Sequence, residues 1–114
     1  MAYESRLKDP FLDDMFQTIL SLETVEECYR FFEDLCTVAE LKSMAQRLAV
    51  ARMLWEDATY SEVEEKSGAS SATISRVNRS LHYGAGGYRL AFEKSPGRRY
   101  IMESGLEEKK KRRR

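Results

Sequence analysis

Three times in 114 residues a threonine is followed, three positions on, by a glutamate: Thr24-Val-Glu-Glu27, Thr37-Val-Ala-Glu40 and Thr59-Tyr-Ser-Glu62. This spacing is the capping box. The hydroxyl and the carboxylate each satisfy a backbone N–H that a starting helix leaves unpaired. Asp9 before Pro10 marks a fourth helix start, because proline's fixed φ and missing N–H suit the first turn. Strand signals are absent: Val, Ile and Thr show no period-two alternation, and there is no Asn-Gly or Asp-Gly hairpin turn. The chain is therefore expected to be all-α.

The apolar spacing agrees. Phe11, Leu12, Met15, Phe16 and Ile19 form one stripe, and Cys28, Phe31, Phe32 and Leu35 recur at i, i+3, i+4, i+7. The helix opened by Thr37 is the longest. Leu41, Met44, Ala45, Leu48 and Trp55 lie on one face, with Val50 and Leu54 expected to widen the buried arc. The helix opened by Thr59 must stop near Gly68. Another runs from Ser70 to about Leu81. After Gly84-Ala-Gly86-Gly87 a short last helix carries Tyr88, Leu90, Ala91 and Phe92 and ends before Pro96. A chain this short buries limited surface alone, so the surplus apolar faces of its first two helices suggest a dimer interface.

Charge is neutral overall, with 19 basic and 19 acidic residues, but Lys109–Arg114 are all basic. Residues 96–114 are expected to form a flexible basic arm, either adding non-specific affinity for phosphate or serving as a solubilising end. Residues 1–95 are expected to be one helical domain. No stretch approaches the roughly 20 apolar residues of a membrane span, and residues 1–14 do not resemble a signal peptide. Cys28 and Cys36 are too few for a disulfide framework, so a cytoplasmic setting without membrane contact is expected. Catalysis is not expected. His82 is the single histidine, no spacing suits a metal, and Gly84-Ala-Gly86-Gly87 has no preceding strand to make it a dinucleotide fingerprint.

Residues 59–82 carry the most information. With Gly68 as the turn residue of a helix-turn-helix, Val63, Ala69, Ile74 and Val77 fall where its helices must meet. Gly68 can take φ > 0 without steric cost, and Ser70 can cap the second helix. Glu64 and Ser67 depart from the pattern, which favours a small and an apolar residue there. Ile74, Val77 and Leu81 share one face. The opposite face presents Ala72, Ser75, Arg76 and Arg79, with Ser71 and His82 at its sides. No Asp or Glu occurs between Ser67 and Glu93, as a phosphate-facing surface requires. Candidate contacts to double-stranded DNA are Ser70, Ser71, Ala72, Ser75, Arg76 and Arg79. The alternative is a protein-interaction module that keeps the helix-turn-helix as a scaffold without reading DNA; the acidic body favours it.

The run Gly68-Ala-Ser-Ser-Ala-Thr-Ile-Ser-Arg-Val-Asn-Arg-Ser-Leu81, with Leu35-Cys-Thr-Val-Ala-Glu-Leu-Lys42 upstream, resembles the Trp repressor family, in particular its relatives in Gram-positive bacteria. The likeness covers roughly residues 25–92. It implies six helices in an intertwined homodimer, and a transcriptional regulator, in the repressing mode, on a palindromic operator. It also implies a corepressor pocket, with Arg47 and Arg76 flanking the ligand and Thr37 and Ser80 beside it. Val77 stands where the tryptophan binders have glycine, and Cys36 where they have leucine. Tryptophan is therefore not expected, and either another small ligand or no cofactor at all takes its place. Outside such a pocket, Arg76 would contact phosphate and Arg47 would pair with a helix neighbour such as Glu40. Two basic positions on the first helix of the motif are Ser61 and Glu64 here, so phosphate contact would lean on Arg76, Arg79 and the tail.

Overall fold

The computed structural model describes residues 3–95 and Gly97. The basic arm expected from residue 96 onward, with Lys109–Arg114, lies outside the described residues except for Gly97. Six helices follow in order: α1 (Pro10–Leu20), α2 (Val25–Leu35), α3 (Val38–Trp55), α4 (Tyr60–Ser67), α5 (Ser71–Tyr83) and α6 (Gly87–Lys94). No strand occurs among the described residues, so the all-α expectation holds. No described helix is long and apolar enough to cross a membrane.

The caps form as the side-chain chemistry dictates. The Asp9 carboxylate accepts from the N–H groups of Phe11 and Leu12 at 2.9 and 3.1 Å. Thr37 and Glu40 exchange both capping-box bonds, and so do Thr59 and Glu62. The backbone N–H of Thr37, and next its hydroxyl, hold the Glu40 carboxyl below its ordinary range, because both bonds favour the anion. At Thr24 only half of the expected box forms. Thr24 accepts from the Glu27 N–H, but the Glu27 carboxylate reaches one residue further, to the N–H of Glu23.

The chain divides into two compact units at Leu41–Lys42, within α3. The second unit holds the buried core: Val50, Ala51 and Met53 of α3, Ala58, Val63 of α4, Ala69, Ile74, Val77 and Leu81 of α5, and Phe92 of α6. This corrects the expected face of α3. Val50 is buried and Leu54 is half-buried, but Met44, Leu48 and Trp55 are 43%, 40% and 42% exposed. The C-terminal half of α3 is apolar round most of its circumference, so periodicity alone could not select the inward side.

The first unit is different. Neither α1 nor α2 contains a buried residue, although their apolar stripes are placed as expected. Phe11 is 86% exposed and Phe16 54%. Both cysteines are unbridged.

Candidate nucleic-acid interface

The turn between α4 and α5 is built from three local choices. Gly68 ends α4 at φ 72°, in the left-handed region, and its N–H donates to the Glu64 carbonyl. Ser70 then opens α5, its hydroxyl accepting from the Thr73 N–H at 3.1 Å. Ser67, one of the two departures from the pattern, takes up the polar groups of the bend. Its hydroxyl donates to the Val63 carbonyl at 2.6 Å and accepts from the Ala69 N–H at 3.1 Å. Glu64, the other departure, is exposed and leaves the packed side free.

A Cβ at Gly68 would meet nothing within 4 Å. Gly68→Ala is therefore expected to cost about 1 to 2 kcal/mol from backbone conformation alone. Gly68→Asn should recover much of that loss, since asparagine tolerates the left-handed region. Urea unfolding of the three proteins checks this; equal midpoints would rule it out.

Packing then decides which side of α5 is offered to a partner. Val63, Ala69, Ile74 and Val77, the positions where the motif's helices meet, are all buried, as is Leu81. Ser71, Ala72, Ser75, Arg76, Arg79 and His82 are all exposed. Ser70 is exposed too, but its hydroxyl is committed to the cap and to the Thr73 hydroxyl. Neither Arg76 nor Arg79 is engaged by a carboxylate or any hydrogen bond among the described residues. The Nδ1–H of His82 donates to the Asn78 carbonyl at 2.9 Å, tying that ring to its own helix.

Two supports of α5 left no signal in the sequence. Gln46 of α3 donates to the Ser67 carbonyl at 3.1 Å, across 21 residues, and anchors the turn. Behind α5, α6 is held by an aromatic group: Phe92 lies 5.7 Å from Trp55 and 5.9 Å from Tyr88, centroid to centroid. The Arg52 guanidinium sits 4.7 Å above the Phe92 ring and donates to the Ser95 carbonyl at the end of α6. Apart from Tyr88–Phe92, one helical turn apart, these contacts join distant segments and are set by tertiary packing, which no local pattern encodes.

The expected pocket residues fall in both units. Thr37 lies in the first unit, its hydroxyl accepting from the Glu40 N–H. Arg47, Arg76 and Ser80 lie in the second unit and are exposed. Arg47 donates to Ser43 at 3.1 Å, not to Glu40, whose carboxylate is taken by the Thr37 N–H. Val77 is 2% exposed and part of the core.

Charge follows the same division. Residues up to Leu41 include ten acidic and three basic side chains; Lys42 to Ser95 include six acidic and eight basic. The unit that carries α5 is the one a polyanion can approach.

Residues 11–95 match the family model described as Trp repressor protein. The chain is 55% identical over 89 residues to the uncharacterized protein YerC of Bacillus subtilis (strain 168), covering 78% of this chain and 86% of YerC. Among solved structures it is similar to a TrpR-like protein from Eubacterium eligens ATCC 27750, with 50% identity and a TM-score of 0.78 over 83% of this chain and 98% of that one. A Staphylococcus aureus crystal structure matches with 47% identity and a TM-score of 0.77, over 83% and 95% of the two chains.

Proposed function

This chain belongs to the Trp repressor family and has its six-helix fold, and from that premise we propose that it is a sequence-specific, DNA-binding transcriptional regulator. It acts as a homodimer, places α5 of each copy in the major groove and represses by occupying a palindromic operator. Two-fold symmetry sets the half-sites about one helical turn, roughly 34 Å, apart. The observation that carries this reading is the exposed side of α5. It is free of carboxylates, small at its N-terminal end, and armed with two arginines that no other described side chain engages. Ser71, Ala72, Ser75, Arg76 and Arg79 contact bases or phosphate in and beside the groove, and Ser70 holds the helix start in shape.

In this reading the regulator works in the cytoplasm and does not use tryptophan, because Val77 is spent in the core next to Arg76. Thr37, Arg47, Arg76 and Ser80 remain the residues to probe for another small effector.

Arg79→Ala tests the reading. Operator affinity should fall, and in Arg76→Ala, which removes a phosphate contact, the slope of log affinity against log salt should flatten by about 1. Unchanged affinity and slope would instead favour the scaffold role, in which the helix-turn-helix binds another protein.

A further inference from the structure

The exposed side of α5 limits which bases it can read. At 3.6 residues per turn, Ala72 and Arg79 fall almost opposite the buried stripe of Ile74, Val77 and Leu81, with Ser75 and Arg76 on either flank. Each base edge in the major groove needs its own partner. The cytosine amino group needs a carboxylate, adenine takes Asn or Gln with two bonds, guanine takes Arg with two bonds, and the thymine methyl takes an apolar contact. α5 has no carboxylate, and its one carboxamide, Asn78, is half-buried on the flank nearest the core. Serine hydroxyls discriminate poorly, since they both donate and accept.

Two chemistries remain, and they stand on the outermost line of the helix. We infer that α5 reads a thymine through the methyl of Ala72 and a guanine through the guanidinium of Arg79. This rests on the DNA-binding reading above and specifies its ligand. The two residues are seven positions apart, about 10 Å along the helix axis. With base pairs about 3.4 Å apart along the duplex, the thymine and guanine lie about three steps apart in each half-site. Arg76, off that line, contacts backbone phosphate.

The test begins with selection from random duplexes by the full-length wild-type protein. The selected site is then rebuilt with deoxyuridine in place of the thymine, which removes only the methyl, or with 7-deazaguanine in place of the guanine, which removes only N7. The methyl deletion should weaken wild-type binding about fourfold per half-site, the worth of one buried carbon. The N7 deletion should weaken it about tenfold. Ala72→Gly should be indifferent to deoxyuridine, and Arg79→Ala to 7-deazaguanine. The wild-type measurements decide alone if a variant folds poorly. A selected site to which wild-type binds equally well with both analogues, or one without a thymine and guanine at that spacing, overturns the inference and leaves DNA binding standing. Failure to enrich any sequence overturns the functional reading, and this inference with it.

Discussion

Ile74→Ala is expected to cost about 2 to 5 kcal/mol of folding stability, the largest loss of any single core truncation in α5. Ile74 is fully buried, and it belongs to a core of ten buried apolar residues among the described residues. Deleting its outer carbons removes their transfer energy and leaves a cavity that helices crossing at fixed angles close only in part. A domain this small has a total stability of about 5 to 15 kcal/mol. The variant should therefore be partly unfolded at 37 °C and lose DNA binding there, though no groove residue is touched. Helical circular dichroism against urea reads the loss directly. The exposed neighbour Ser75→Ala should unfold within about 0.5 kcal/mol of wild-type. A loss below 1 kcal/mol at Ile74 would mean that α5 is not seated as described.

Phe16→Asp should raise the dissociation constant of the homodimer by about 10²- to 10⁴-fold. An 11-residue helix is marginal in water by itself, and neither α1 nor α2 buries a single residue within its own chain. Their apolar stripes require a cover, which the proposed second copy supplies. Burying one phenylalanine contributes about 1.5 to 3 kcal/mol, and two-fold symmetry counts it twice. The introduced carboxylate adds a desolvation cost of the same sign. Sedimentation equilibrium measures the shift, with the exposed neighbour Gln17→Asp as control. A wild-type chain that stays single at all concentrations, or equal dissociation by both variants, would remove the dimer from the proposal.

Legibility varied along the chain for physical reasons. Caps are local chemistry, so Asp9, Thr37, Thr59 and Ser70 announced helix starts that the structure reproduces. The register of the helix-turn-helix was readable because a left-handed glycine and four apolar positions at set spacing leave one alignment, and all four positions are buried. The inward side of α3 was not readable, since its apolar residues surround the helix and the choice fell to what α4, α5 and α6 presented. Arg47 bonds Ser43, not the expected Glu40, because the Glu40 carboxylate is held at its cap.

The amino-acid order alone determined where helices begin, that no strand competes, and which side of α5 is stripped of acids. Those properties depend on residues within about one helical turn of each other. Tertiary structure alone decided that Arg52 of α3 would sit over the Phe92 ring and donate to the Ser95 carbonyl. It also decided that Gln46 would clasp the turn, and that Trp55 would pack against Phe92. Each of these depends on groups brought together from separate segments, whose meeting is set by the shape of the filled core.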